Sequence, residues 1–345
     1  ALTVEATKQI IFASKDENNV CAVSEILDAR AFVNGIVGLN ATGGSTNLLI
    51  HLIAMAKTAG LIINWEDFAD LSEVTPLMAR IYPNGLADVN HFHAAGGLTF
   101  LFKELLGAGL LHKNVKTVMG AGLEKYLLEP KLIDGQIVWS EGTPSSYNKK
   151  ILVGYSEAFQ PTGGLKHLSG NLGSGVMKIS SVEQKYQKME APARIFHNQN
   201  DVKTAFENGA FISDTVVVVR YQGPKANGMP ELHSLTPLLT ILQKKGLKIA
   251  LVTDGRMSGA SGKVPAVIHV CPEALDAGPI AQLQDGDIIK IDAQNGSMLI
   301  KDKKVLEREI SHPDLNKNSI GMGRELFINS RNSVSSAEDG ASFII

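Results

Sequence analysis

Two uninterrupted runs of branched apolar residues, joined by one amphipathic segment, constrain the fold of this 345-residue chain more than any other feature. The first run, TVVVVRY, occupies 215–221 and the second, LKIALVTDG, occupies 247–255. Such runs are typical of strands that are buried on both faces. The segment between them, SLTPLLTILQKKG, has a Ser or Thr cap, a Pro near its start and Gly246 at its end, which predicts a helix. Together they predict a right-handed crossover between two parallel strands.

The rest of the chain indicates an α/β protein with two parts. Helical and strand-like segments, including a short strand at LIINW 61–65, alternate through residues 1–128, which favours a layered α/β domain. Asp134-Gly135 lies between alternating apolar residues, which is a hairpin signal, and a polar segment follows it, so 129–150 is interpreted as a linker with a hairpin. Residues 151–345 are richer in strand and include a second hairpin at Asn295-Gly296.

Charge and hydropathy exclude several classes of partner. The chain has 33 Lys and Arg against 35 Asp and Glu, a net charge of -2. Nucleic acid and anionic membrane surfaces both attract a basic excess, so neither is expected as a partner. No run of 18 apolar residues occurs, so no membrane-spanning helix is expected. The chain begins without Met and without a signal-peptide pattern, and we expect it to be part of a longer or processed protein.

Polar loops follow both strands of the predicted crossover. Ligands of open α/β sheets bind outside the carboxyl ends of the strands, so we expect the two loops to meet at one site. The alternative interpretation is that these are two ordinary polar loops without a shared site. The second loop matches neither a hydrolase nucleophile elbow nor a phosphate-binding P-loop. The candidate side chains in these loops are Lys225, Glu231, Asp254, Arg256, Ser258 and Lys263.

The segment GGSTN at 43–47 precedes a predicted apolar helix. Free amides at a helix start that is opened by glycines can bind an anion, so Gly43, Gly44, Ser45 and Thr46 are candidate anion contacts. A well-capped helix whose glycines are needed for packing explains the same residues equally well.

Histidine and cysteine offer few metal ligands. His91 and His93 would share a face on an extended segment, but Asp88 is the one supporting acid nearby, so structural or substrate-contacting roles are favoured over metal ligation. Cys21 and Cys271 are the two cysteines, too few for an iron–sulfur cluster, and both are predicted to be small buried apolar groups.

Several long segments resemble the iron–sulfur-dependent sugar-acid and dihydroxy-acid dehydratases. The resemblance extends from about residue 20 to 345, and GPKANGMPELH, GRMSGASGKVP and the ending GRELF…SSAEDGA are closest to the branch that acts on a phosphorylated sugar acid. The matching segments are GLNATGGSTN, NHFHAAGG, LSGNLG, RYQGPKANGMPELH, TDGRMSGASGKVPAVIHVCPEA and GDIIKID.

The resemblance implies a reaction and its machinery. A cytoplasmic homodimer of the Entner–Doudoroff pathway would dehydrate 6-phospho-D-gluconate to 2-dehydro-3-deoxy-6-phosphogluconate, using an iron–sulfur cluster, a 4Fe-4S cluster by analogy, and Mg²⁺. Ser258 matches the family's alkoxide base, and Glu231 matches a carboxylate ligand of the magnesium. Arg256, Lys263 and the GGSTN amides are candidate contacts for the substrate's anionic groups.

One departure from the family pattern is large. The family's cluster cysteines, and the Asp and modified Lys that bind magnesium, lie in an N-terminal segment that has no counterpart here. We therefore expect residues 1–128 to complete the family's N-terminal α/β domain and 151–345 to form its swivelling β/α domain. By itself this chain is expected to bind no cluster and to turn over no substrate. The alternatives are a dehydratase for another sugar acid or a branched-chain dihydroxy acid, a non-catalytic phosphosugar-binding module, and a purely structural fragment.

Overall fold

The computed structural model describes residues 1–15, 21–257 and 263–344. The chain divides into two compact units, each assembled from several segments. The helical unit comprises Ala1–Gly43, Ala59–Leu61 and Val74–Gly163, and the barrel unit comprises Gly44–Thr58, Ile62–Glu73 and Gly164–Ile345.

Helices and strands are numbered along the whole chain. The helices are α1 (Leu2–Lys15), α2 (Val23–Ile26), α3 (Ala29–Thr42), α4 (Leu48–Thr58), α5 (Trp65–Val74), α6 (Val89–Ala94), α7 (Gly97–Gly107), α8 (Gln199–Glu207), α9 (Pro224–Asn227), α10 (Leu235–Lys244) and α11 (Ile328–Ser333). The strands are β1 (Lys116–Thr117), β2 (Gly120–Ala121), β3 (Leu128–Ile133), β4 (Gln136–Glu141), β5 (Leu165–Gly170), β6 (Gly173–Lys178), β7 (Lys188–Phe196), β8 (Thr215–Val219), β9 (Ile249–Thr253), β10 (Ala266–Cys271), β11 (Ile288–Asp292) and β12 (Ser297–Ile300). Within the described ranges, no helix has the length and apolarity needed to cross a membrane.

The helical unit contains α3, which has a clear start and end. The Asp28 carboxylate accepts a hydrogen bond from the Ala31 amide at 2.9 Å and caps the N-terminus. Gly43 ends the helix with a φ of 59°, the left-handed conformation that glycine adopts without steric cost. Phe32 and Ile36 are buried on its inner face. The strand–strand pairings in this unit are the short pair β1–β2 and the hairpin β3–β4, among the residues that the structure describes.

The predicted hairpin at Asp134-Gly135 is confirmed. β3 and β4 pair antiparallel, with Ile133 opposite Gln136. Asp134 and Gly135 have φ values of 51° and 78°, the positive values that a tight two-residue turn needs.

The barrel unit is built on a closed eight-stranded sheet in the order β10-β6-β5-β12-β11-β7-β8-β9, with β9 pairing back to β10. β8 and β9 are parallel, with Val217 opposite Leu251, and α10 joins them, so the predicted crossover is confirmed. Every residue of β8 and β9 is buried. The hairpin at Asn295-Gly296 is confirmed as β11–β12.

Inward-facing apolar side chains fill the barrel, as expected for a barrel of about eight strands. They include Leu168, Met177, Met189, Val216, Val218, Ala250, Val252, Val267, Ile289, Ile291 and Met298.

The mixed α/β class was therefore predicted correctly, whereas closure of the second half into a barrel was not. The strand predicted at 61–65 is wrong. Residues 61–64 have no regular structure, and Trp65 begins α5.

Candidate active site

Glu231 and Arg256 lie side by side beyond the carboxyl ends of β8 and β9. They form a parallel β-bridge, and Arg256 Nη1 is 3.2 Å from Glu231 Oε2. Arg256 Nε donates to the Met229 carbonyl at 2.6 Å, and the His233 amide donates to Glu231 Oε1 at 3.1 Å. The two polar loops therefore meet at one place, as the crossover predicted.

The ion pair between Arg256 and Glu231 is partly open to solvent. With the side chains 33% and 30% exposed, the pair is partly solvated and both groups remain accessible. An exposed ion pair of this kind contributes little stability, so it can exchange partners when a ligand arrives. The arrangement leaves one guanidinium and one carboxylate at the same loop edge.

Asp254 organises the turn that leads to Arg256. It is fully buried, and its carboxylate accepts hydrogen bonds from the amides of Tyr221, Gln222 and Ala274 at 3.0, 2.8 and 3.0 Å. Burial raises the pKa of Asp254 to about 6, although the three amides oppose the shift. Asp254 thus joins the ends of three neighbouring strands.

The segment Gly44–Thr46 lies next to the same turn. Thr46 is buried, and its hydroxyl donates to the Met257 carbonyl at 3.0 Å. The Ser45 hydroxyl accepts a hydrogen bond from the Asn47 amide at 3.3 Å, which orders the turn before α4. Gly43 belongs to the helical unit and forms the C-cap of α3.

Lys178 was not identified from the sequence. It is the last residue of β6, is 5% exposed, and donates to the Gly44 carbonyl at 3.2 Å. Burial lowers the pKa of Lys178 to about 8. A lysine at a strand end carries no signal in the sequence, because its proximity to Gly44 depends on a contact 134 residues away.

His269 is a second residue that the sequence did not indicate. It is fully buried in β10, and neither ring nitrogen has a hydrogen-bond partner among the residues that the structure describes. Burial lowers its pKa to about 3, and the charge of Arg256 adds to that shift. The Trp65 ring lies 6.2 Å from the imidazole, centroid to centroid. This histidine is therefore neutral at physiological pH.

Two other residues, Lys263 and Ser258, were predicted from the sequence to belong to the site. Lys263 lies in an exposed turn before β10. Ser258, the predicted base, lies outside the described residues, and so does the rest of 258–262.

The two histidines of NHFHAAGG lie on α6 rather than on an extended segment, so the expectation that they share a face is wrong. His91 completes a capping box with Asp88: the Asp88 carboxylate accepts from the His91 amide at 3.0 Å, and the Asp88 amide donates to His91 Nδ1 at 3.4 Å. His91 therefore has a structural role.

The described residues provide few ligands for a metal. Three metal-binding His, Cys, Asp or Glu side chains do not come together anywhere in 1–15, 21–257 or 263–344. Burial raises the pKa of the Cys271 thiol to about 12, and the thiolate is the form that binds metal. Cys271 is buried as predicted, whereas Cys21 is half-buried. These residues do not fit an iron–sulfur cluster. Glu231 offers the oxygen donor that Mg²⁺ prefers, but as one ligand.

Comparison with known proteins defines the class. A model of the dihydroxy-acid/6-phosphogluconate dehydratase N-terminal domain matches residues 1–126, and a model of the C-terminal domain matches residues 150–341. The chain therefore belongs to the dihydroxy-acid/6-phosphogluconate dehydratase family.

Individual relatives show which members of the family the chain is similar to. The chain is 52% identical over 347 residues to a phosphogluconate dehydratase of Rhizobium meliloti and 52% identical over 346 residues to that of Escherichia coli K12. Both matches cover 100% of this chain and 57% of the relative. A dihydroxy-acid dehydratase of Sulfurisphaera tokodaii is 39% identical over 277 residues, which is 79% of this chain and 47% of that protein. The chain thus spans about half the length of these curated relatives.

Proposed function

We propose that the chain is part of a 6-phosphogluconate dehydratase, a hydro-lyase that converts 6-phospho-D-gluconate into 2-dehydro-3-deoxy-6-phosphogluconate and water in the Entner–Doudoroff pathway. The observation that carries the proposal is the 52% identity to phosphogluconate dehydratases along the whole chain. The lower identity to a dihydroxy-acid dehydratase favours the phosphorylated sugar acid over a branched-chain substrate.

The chemistry requires removal of a proton next to a carboxylate and loss of hydroxide from the neighbouring carbon. In our proposal Ser258 Oγ, as the alkoxide, takes the proton from C2, and the C3–O bond breaks so that hydroxide leaves from C3. The hydroxide takes up the proton held by Ser258, which releases water and restores the alkoxide. The enol that results tautomerises to the 2-keto acid by losing the proton of its 2-hydroxyl and gaining a proton at C3. A serine is a weak base, so positive charge must stabilise its alkoxide. Arg256 is a cation close to Ser258 in sequence and is held at the loop edge by Glu231 and Met229.

Glu231 is the proposed magnesium ligand of this chain. Its carboxylate is partly exposed beside Arg256, and carboxylate oxygens are preferred ligands of Mg²⁺. A bound divalent cation would stabilise negative charge on the substrate carboxylate. The remaining magnesium ligands and the cluster ligands are proposed to lie outside this chain.

Anionic ends of the substrate need cations. Arg256, Lys263 and the Gly44–Thr46 segment of the barrel unit remain the proposed contacts, and Lys178 beside Gly44 joins them. By the family resemblance we also propose a cytoplasmic homodimer, in which residues 151–345 act as a swivelling domain.

The test uses the full-length protein containing this chain, reconstituted anaerobically with iron, sulfide and Mg²⁺. We expect dehydration of 6-phosphogluconate with a kcat/KM at least about tenfold above those for gluconate and a branched-chain dihydroxy acid, because loss of one well-made ionic contact costs roughly this factor. Preference for either unphosphorylated acid would contradict the proposal.

Two variants separate an enzyme from a binding module. Ser258→Ala and Glu231→Gln should lower kcat about 100-fold or more while 6-phosphogluconate still binds, since each removes a group needed for proton transfer or charge stabilisation. Glu190→Gln is the matched control, because Glu190 pairs with Lys301 on the surface of β7. Binding without turnover in the wild-type protein would identify a non-catalytic phosphosugar-binding module.

The 345-residue chain by itself should bind no stoichiometric cluster and show no turnover. Iron analysis and the same assay on this chain check that expectation.

A further inference from the structure

We propose that Asp254 and Glu273 are positioning residues of the dehydration site, which hold the loop carrying Glu231 through its backbone amides. We call residues 220–231 the Glu231 loop. The inference rests on the proposed function, since it assigns the Glu231 loop a place in that reaction.

Asp254 holds the beginning of the loop. Its Oδ2 accepts from the Tyr221 amide at 3.0 Å, and its Oδ1 accepts from the Gln222 amide at 2.8 Å. Tyr221 has a φ of 62°, a left-handed conformation that residues other than glycine rarely adopt. Such a conformation persists only where the surroundings enforce it, and the buried carboxylate of Asp254 does so here.

Glu273 holds the middle of the loop. Its Oε2 accepts from the Lys225 amide at 3.0 Å, and its Oε1 accepts from the Ala226 amide at 2.8 Å. Both amides belong to the first turn of α9, where the helix offers no carbonyl partner. A Cβ atom on Gly223 would lie 2.4 Å from Glu273 Oε2, so this close approach of chain and carboxylate requires glycine.

From α9 the chain runs directly to the site. Gly228 and Met229 have φ values of 67° and 52°, and Met229 then places its carbonyl on Arg256 Nε. Glu231 follows two residues later and pairs with Arg256 Nη1. The Glu231 loop is therefore held at its beginning and middle by Asp254 and Glu273, and at its end by the contacts of Met229 and Glu231 with Arg256.

Packing does not explain why these two groups are carboxylates. Buried charge is unfavourable, and well-packed apolar side chains of similar volume serve a core at least as well. Glu273 is 4% exposed, and burial raises its pKa to about 7, with the nearby charges of Asp254 and Asp276 adding to the shift. Lys225 faces this cluster through its ion pair with Asp276, at 2.7 Å. Only ionised carboxylates can accept all five amide hydrogen bonds with full strength.

The experiment is Glu273→Gln in the full-length reconstituted protein. The amide side chain keeps the volume but turns one acceptor into a donor that faces a backbone amide. We expect kcat to fall at least tenfold, the Mg²⁺ concentration for half-maximal activity to rise at least threefold, and KM for 6-phosphogluconate to change less than threefold. The acid limb of the pH profile of kcat should also change, because burial raises the pKa of Glu273 to about 7 and the amide of the variant does not ionise.

Asp276→Asn is the matched control. It removes the side-chain pair with Lys225 on the same loop but leaves the amide contacts of Glu273 in place, so kcat and the Mg²⁺ requirement should be unchanged. Should Glu273→Gln fail to fold, Glu273→Asp keeps the charge with a shorter reach and should give an intermediate loss of kcat.

An unchanged kcat and Mg²⁺ requirement in folded Glu273→Gln, or an equal loss in Asp276→Asn, would overturn the inference. Amide hydrogen exchange distinguishes this failure from failure of the proposed function. Lys225 and Ala226 should exchange at least tenfold faster in Glu273→Gln than in wild type, whether or not the protein dehydrates 6-phosphogluconate.

Discussion

Lys178 gives the sharpest stability prediction, because a buried ammonium group is costly and its cost depends on pH. Burial lowers its pKa from 10.5 to about 8. At about 1.4 kcal/mol per pKa unit, the charged lysine costs the folded state about 3 kcal/mol near pH 7. Lys178→Met removes this cost and forfeits the hydrogen bonds of the ammonium group, among them the one to the Gly44 carbonyl, each worth about 1 kcal/mol. We expect the variant to be more stable at pH 7, by about 1–2 kcal/mol.

The pH dependence tests the cause. A lysine with a lowered pKa in the folded state binds its proton more tightly when unfolded, so wild-type stability should rise between about pH 8 and pH 10.5. The variant should lack this rise, and its advantage should disappear above pH 10.5.

Urea unfolding at pH 7, 9 and 10.5, followed by the fluorescence of buried Trp65 in the barrel unit, measures both effects. Lys290→Met is the control, since Lys290 is exposed on β11 and its removal should change stability little at any pH. A variant that is less stable than wild type at pH 7, or one that keeps the wild-type pH slope, would refute this account of Lys178.

Two further predictions concern buried polar groups of the barrel unit. His269→Leu should raise the free energy of unfolding by about 1–3 kcal/mol at pH 7, because it removes ring nitrogens that have no partner among the described residues. Burial lowers the pKa of His269 to about 3. The wild type should therefore lose stability as the pH falls from about 6.5 towards 3, whereas the variant should not. Urea titrations at pH 7 and 5 check this difference. Thr46→Val should cost about 1–2 kcal/mol by leaving the Met257 carbonyl without its hydroxyl donor, while Thr240→Val, which removes a bond within α10, should cost less than about 0.5 kcal/mol in the same assay.

Local signals in the sequence were sufficient to predict the crossover and the two hairpins. The β8–α10–β9 crossover follows from two branched apolar runs and an amphipathic helix between them, all within 41 consecutive residues, although the predicted Ser or Thr cap makes no side-chain hydrogen bond at the start of α10. The hairpins at Asp134-Gly135 and Asn295-Gly296 follow from turn chemistry, which is decided by adjacent residues. Local patterns failed where two structures suit the same residues, as for His91 and His93, which the Asp88 cap places on a helix.

The meeting of Glu231 and Arg256 could also be predicted, because parallel strands joined by a crossover end at the same edge of a sheet. The spacing of the motifs did not identify the reaction, whereas their resemblance to the dehydratase family did. The comparisons with known proteins agree with that family.

The sequence by itself determined the strands β8 and β9, the turns of the two hairpins, the loop that carries Glu231 and the family. Tertiary structure alone decided that eight strands close into a barrel, that Lys178 lies against Gly44, and that Glu273 reaches the amides of α9. The physical reason is that a turn or a strand is stabilised by neighbours in the chain, whereas these contacts depend on strand order and register. Register is set by how the whole apolar face packs, and no short segment encodes it.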